Sequence, residues 1–148
     1  MKIPFVSDWR KKRAPALGFA VLSAGDEVPD PDGLADLLSS CELLRVQASQ
    51  ADVPLDESEA SLEALDQLLP SWRDDVEKMS WLGNDAGLYL GTVIVRTVPG
   101  AVWEVWPNGH PIVRLSSGRE FDVVAYGHAW ADSGAPGLSQ RYAEISET

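Results

Sequence analysis

The sequence contains one cysteine and two histidines among 148 residues. One cysteine excludes an intramolecular disulfide framework, and with two histidines it falls short of the four ligands of a structural zinc site. Basic residues are also scarce: 12 Lys and Arg stand against 23 Asp and Glu, a net charge of −11. General nucleic-acid binding needs a basic surface to displace counterions from phosphate, so that class is excluded. The run Ala14 to Ala24, 11 residues long, falls far short of the ~20 that a spanning helix requires. Its length suits a signal-peptide core, but Pro15 and Gly18 interrupt it, and Ser23-Ala24-Gly25 is a loose cleavage match. The expectation is a cytoplasmic protein. There is no Gly-x-Ser-x-Gly elbow and no glycine-rich phosphate loop, since Gly83, Gly87 and Gly91 have helical spacing.

What the chain does have is 45% hydrophobic residues and six tryptophans, enough for one soluble globular core. Charge is polarised along it. Residues 1–25 carry five basic residues and one acidic, residues 26–85 sixteen acidic and three basic, and residues 86–148 six acidic and four basic. This divides the chain into a basic N-terminal arm, 1–25, and a single domain, 26–148. In the arm, Phe5 and Trp9 precede Arg10, Lys11, Lys12 and Arg13. That combination suits a peripheral contact with an anionic membrane or docking on the acidic middle of the same chain. The plain alternative is a solvated arm with one short strand, Gly18–Leu22.

Asp26–Gly33 is a turn-rich acidic linker that fails the calcium-loop pattern, with Val28 and Ser39 where ligands belong. Pro31 and Asp32 lead into Leu34, Leu37, Leu38, Cys41 and Leu44, the face of an amphipathic helix. On that stripe Cys41 is a small core residue without basic flanks to activate it. A second helix is capped by Asp56 with Glu59 or by Ser58; it buries Leu62, Leu65, Leu68 and Leu69, and Pro70 ends it. Ser71–Ser80 is a short helical turn or an ordered loop, with Trp72, Val76 and Met79 spaced to touch one face. From Trp81 to Thr97 the apolar positions fit a helical period, although Leu88–Val98 also reads as a buried strand; length favours helix, ended by Pro99-Gly100. On such a helix Gly87 and Gly91 share a face and let a neighbour approach. The period then falls to two: Ala101–Trp106, Pro111–Leu115 and Arg119–Val124 are strands of a meander. Residues 123–132 and Leu138–Ile145 return to helix. The fold class is α+β, with several amphipathic helices on one face of a small three-stranded antiparallel meander.

Asn108-Gly109 is a strong signal for a two-residue type I′ hairpin loop. That loop pairs Trp106 with Pro111 and Trp103 with Arg114. Alternation then places Trp103, Val105, Ile112 and Arg114 on one face. If helices cover the other face, these four form an exposed partner-binding surface with the composition of a hot spot. The alternative is an ordinary cross-strand Trp103–Arg114 stack, the arm covering the rest.

Trp81–Val124 resembles a family of small actinobacterial, chiefly Streptomyces, proteins known only as a domain of unknown function. The resemblance rests on Leu82-Gly83, Gly87, Tyr89-Leu90-Gly91, Gly100, Trp103, Gly109, Pro111-Ile112-Val113, Gly118 and Asp122. The preceding SLEALDQLLPSWRDD and the N-terminal IPFVSDWRKKR resemble it too, so the likeness extends over nearly the whole chain. It implies an α+β fold and a cytosolic bacterial setting, and brings no catalytic residue.

Candidate chemistry is thin. His128, with Asp132 one helical turn on, is the one arrangement that resembles an oriented base, but such a pair is more often a surface ion pair. Glu104, His110, His128 and Asp132 lack metal-site spacing. No catalytic residue, metal or cofactor is therefore expected. The preferred function is a non-enzymatic protein-interaction module, its partner a basic protein met by acidic helices or by the Trp/Arg face, or a second copy. An immunity protein or nucleic-acid mimic uses acidic helices in that way. The alternative is a small-molecule- or metal-binding domain, enzymatic at most weakly, with a pocket between the Gly87/Gly91 helix and the sheet lined by Tyr89, Trp106, His128 and Trp130. Such aromatics are more often plain core, because large aromatics dominate core burial.

Overall fold

The computed structural model describes residues 38–147. Its elements run α1 (Glu42–Gln50), α2 (Glu59–Trp72), α3 (Val76–Thr97), β1 (Val102–Val105), β2 (Pro111–Arg114), β3 (Glu120–Phe121), α4 (Val123–Ser133) and α5 (Leu138–Ser146). The three strands form one antiparallel sheet in the order β1-β2-β3, and with the five helices they make a single α+β domain. The expectations placed on Phe5, Trp9 and Arg10–Arg13, on Gly18–Leu22, on Asp26–Gly33 and on Leu34 and Leu37 lie outside the described residues.

α3 is the centre of the fold. From Leu82 to Ile94 it is buried on nearly every side, with Asn84 the exception. That excludes the strand alternative for Leu88–Val98: a continuous apolar run long enough for several turns forms a buried helix. The glycines determine what packs on it. A Cβ at Gly87 would meet the carbonyl of Val123 and lie 2.6 Å from Val124 Cα, and one at Gly127 would lie 2.6 Å from Gly87 Cα. α3 and α4 therefore cross backbone against backbone. A Cβ at Gly91 would strike the indole of Trp103, which is buried on α3. The expected close approach at Gly87 and Gly91 is thus met twice, by a helix and by a strand.

Local chemistry moves several boundaries. Cys41 is buried, as expected of a core residue, but it is not within a helix. It stands at the N-cap of α1 with a left-handed φ of 40°, and the helix starts one residue later. Pro70 does not end α2, which continues to Trp72. Burial of Trp72 and a 2.7 Å bond from Ser71 Oγ to the Leu68 carbonyl hold the turn that lacks an amide at Pro70. Ser71–Ser80 spans the corner between α2 and α3. Asp75 caps α3 by accepting the Lys78 amide at 3.0 Å. Trp72 and Met79 are buried there, whereas Val76, expected beside them, is 78% exposed in the first turn of α3. Strand β3 stops at Phe121 because Asp122 accepts the Ala125 amide at 3.1 Å and starts α4.

The hairpin differs from its expected form by one residue. Trp103 pairs with Val113, Glu104 with Ile112 and Val105 with Pro111. The loop has three residues, 107–109. The Gly109 amide donates to the Trp106 carbonyl at 2.8 Å, and the Trp106 amide to the His110 carbonyl at 2.9 Å. Only Gly109 in the loop has positive φ, at 90°. A type I′ turn needs positive φ at both central residues, whereas Pro107, locked near −65°, suits the first central position of a type I turn followed by a left-handed glycine.

The shift redistributes the faces, because residues directly opposite share one. Trp103, Val105, Val113 and Phe121 point toward the helices. Val102, Glu104, Ile112, Arg114 and Glu120 lie on the outer side. There Arg114 Nε pairs with Glu104 Oε2 at 2.7 Å, and Trp106 Nε1 donates to Glu120 Oε1 at 3.0 Å.

Candidate functional site

The four residues expected to share a partner-binding face are therefore divided. Trp103 is buried and Val105 packs at the edge of the core, while Ile112 and Arg114 lie on the opposite side. Ile112 itself is fully buried. The exposed tryptophan-and-aliphatic surface read from the sequence does not exist in that form. Its cause is Pro107, which lengthens the loop and slips the pairing.

The four expected pocket residues also do not converge. Tyr89 points from α3 to the α1–α2 connection, where its hydroxyl accepts the Glu57 amide at 2.7 Å and shares a 2.7 Å bond with Ser61 Oγ. Burial raises the Tyr89 pKa. Trp130 is fully buried and donates from Nε1 to Asp66 Oδ1 at 2.9 Å. Trp106 lies on the outer sheet face, and His128 is exposed on α4 beside Gly83. The space they were to line is closed at Gly91 by Trp103. The histidine that meets an acid is His110, whose Nδ1 lies 3.5 Å from Asp122 Oδ2. Among the described residues no three His, Cys, Asp or Glu are grouped to hold a metal ion. No helix among them is long and apolar enough to cross a membrane.

The structure concentrates its polar chemistry at the α1–α2 connection instead. Arg45, on α1, spends four of its five N–H groups there. Nε donates to the Ser40 carbonyl at 3.1 Å, Nη1 to the Leu55 carbonyl at 3.1 Å, and Nη2 to the Ser39 carbonyl at 3.0 Å and to Glu57 Oε2 at 2.8 Å. The other Glu57 oxygen takes Arg96 Nε at 2.9 Å. Glu57 has a left-handed φ of 65°, a strained state kept by these two ion pairs and by the Tyr89 hydroxyl on its amide. Beside this clamp an open cleft of about 390 Å³ is lined by Arg45, Ser49, Asp52, Val53, Pro54 and Leu55.

From Asp52 to Glu77 the chain carries nine acidic residues and one basic, Arg73. Three of the nine are used internally. Glu57 is in the clamp, Asp75 caps α3, and Asp66 is turned inward on α2. Asp66 Oδ1 accepts the Trp130 indole and the Leu138 amide (2.8 Å), and Oδ2 accepts the Ser139 amide (3.1 Å) and hydroxyl (2.7 Å). The other six, Asp52, Asp56, Glu59, Glu63, Asp74 and Glu77, are exposed, and among the described residues none of them forms an ion pair. Glu59 and Glu63 are one turn apart on the outward side of α2, and Asp74 and Glu77 stand at its far corner. A bond from the Ser58 hydroxyl holds the Asp56 carboxyl below its ordinary pKa.

A second inward carboxylate serves α1. Its N-cap, Cys41, offers no side-chain acceptor, and Asp85 on α3 takes the Leu44 amide at 3.1 Å in its place. Burial pushes the Asp85 pKa up to about 6, opposed by the backbone amides of Leu44 and Leu43. The Cys41 thiol is also pushed well up, first by burial and then by the Asp85 charge, which disfavours its thiolate.

Sequence reasoning gave no role to Arg45, which it met only as a position beside Leu44 on the first stripe, nor to Glu57, Asp66 or Asp85. Three of them carried a signal: a charged residue adjoining or interrupting an apolar stripe, next to Leu44, Leu65 or Ala86, is buried only with a partner.

Compared with known proteins, residues 1–148 match the model of a family of unknown function, DUF6278. No curated protein and no solved structure matches the chain.

Proposed function

The chain belongs to this family of unknown function, and we propose that it is a non-enzymatic protein-interaction module engaging a basic partner through α2 and the α2–α3 corner. The observation that carries this reading is the set of six exposed carboxylates between Asp52 and Glu77 that form no ion pair among the described residues. In a folded domain such a set costs self-repulsion and returns it when a cationic surface docks. A heterologous partner suits this face better than a second copy, since a two-fold contact would bring like charges together. The cytoplasmic setting and the actinobacterial source implied by the resemblance are part of the same proposal.

The test compares proteins captured from source-cell lysate by the wild type, by Glu59→Lys/Glu63→Lys and by Glu104→Ala/Arg114→Ala. A basic protein held by the wild type and by the sheet variant, and released by the α2 variant, supports the proposal. Retention by the α2 variant rejects it, and loss from the sheet variant alone moves the partner to the outer sheet face.

A further inference from the structure

We propose that α1 is a pH-gated flap: it lifts from α3 as one piece, pivoting at Asp52, when the Asp85 carboxyl beneath it ionises. The device is independent of the proposed partner. It follows from a carboxyl buried without a cation and from the way α1 is held over it.

Asp85 is 4% exposed, and among the described residues it forms no ion pair. Its bond to α1 comes from a neutral group, the Leu44 amide at 3.1 Å. Arg45 on α1 does not serve it, because its donors go to the carbonyls of Ser39, Ser40 and Leu55 and to Glu57. The other titratable groups on this side are Cys41 and Glu42 from α1, Glu57 from the α1–α2 connection, and Tyr89 one turn on along α3. None of them supplies a positive charge. α4, with His128, crosses α3 at Gly83 and Gly87, on the side away from Asp85. A carboxyl in such a place stays neutral or reaches water. Burial accordingly raises its pKa from 3.8 to about 6.

The Leu44 bond places α1 over this carboxyl, and α1 is lightly held. Of its nine residues only Leu44 and Ala48 are buried, and its N-terminus has no side-chain cap of its own. Left-handed residues bound it on both sides, Cys41 at φ 40° and Asp52 at φ 61°. Lifting it breaks the Leu44–Asp85 bond and the bonds from Arg45 to Leu55 and Glu57. The bonds from Arg45 to Ser39 and Ser40 travel with the helix.

The sign follows from the two pKa values. Between 3.8 and about 6 the carboxyl is ionised when α1 is open and neutral when it is closed, so opening releases a proton and rising pH favours it. Above about 6 both forms are ionised and the gain levels off. The open form presents Cys41, the only cysteine of the chain, to solvent.

The test uses the full chain and the rate at which 4,4′-dithiodipyridine modifies Cys41, in wild type and in Asp85→Asn. The variant keeps an acceptor for the Leu44 amide without the charge, and dividing the two rates removes the thiol's own ionisation. The expected ratio of wild type to variant rises about tenfold from about pH 5 to about pH 7.5. At low urea concentrations both rates are nearly independent of urea, as a local opening requires. A ratio that stays flat with pH overturns the proposal. So does a rate that climbs with urea as steeply as full unfolding, which means that Cys41 is reached only when the whole domain unfolds. If Asp85→Asn does not fold, amide hydrogen exchange of the wild type decides. Protection across residues 43–50, corrected for intrinsic exchange, falls about tenfold over the same interval with little dependence on urea. Constant protection, or the urea slope of full unfolding, overturns the proposal.

Discussion

The indole of Trp103 lies on Gly91, and this contact joins the first strand to the central helix. An added Cβ at Gly91 would stand 2.9 Å from Trp103 Cζ2 and closer still to Cη2. Gly91→Ala is expected to destabilise the protein by about 1–3 kcal/mol through overpacking, measured by urea unfolding. Shrinking the partner in Gly91→Ala/Trp103→Leu should make the double variant less unstable than the sum of the singles. Additive losses would show that the ring is not the obstacle.

Asp66 ties α2 to both C-terminal helices. Asp66→Ala strips the acceptor from four donors, on Trp130, Leu138 and Ser139. The expected cost is roughly 2–4 kcal/mol, from lost capping and unmet buried donors. Asp66→Asn keeps one acceptor oxygen and should fall between. The indole N–H resonance of Trp130 reports the change directly, and an unmoved resonance in Asp66→Ala would contradict the assigned bond.

The buried carboxyl of Asp85 gives a pH signature. Its folded pKa of about 6 lies above its unfolded value of 3.8. Protonation therefore favours the folded state, and this stability is present at low pH and is lost as pH rises through about 6. Asp85→Asn keeps an acceptor for the Leu44 amide without the charge. Relative to wild type, the variant should gain roughly 1 kcal/mol between about pH 5 and about pH 7.5, in denaturant titrations at both ends. A pH-independent difference would mean that Asp85 titrates normally.

Asp52 stops α1 in a Schellman arrangement. Its amide donates to the Ser49 carbonyl and that of Val53 to the Ala48 carbonyl, at 3.0 and 2.9 Å, with Asp52 at φ 61°. Asp52→Gly relieves a left-handed side chain at the cost of a freer unfolded chain. The expected net gain is about 0.5 kcal/mol in thermal or urea unfolding. A loss would show that the Asp52 side chain contributes a contact beyond its backbone role.

How much of this was legible follows from distance along the chain. The central helix was readable from its periodicity and length, and the caps at Ser58 and Asp75 connect residues three apart. Ser58 was among the expected caps. The pairing register was not readable from Asn108-Gly109 alone, because Pro107 selects the other turn geometry. Since strand alternation has period two, that single residue sent Ile112 and Arg114 to the side away from Trp103. Asp66 and Asp85 were the least accessible. Their amide partners lie 72 and 41 residues away, and an acid within an apolar stripe shows only that some partner must exist.

The crossing of α3 and α4 has an evolutionary consequence. At most packed contacts an enlarged residue can be tolerated if its neighbour becomes smaller. A Cβ at Gly87 would meet the backbone of Val123 and Val124, and one at Gly127 the backbone of Gly83 and Gly87, so nothing remains on either side to remove. A methyl group gained at either position has no second-site suppressor within the contact, and the two positions can change only if the helices part.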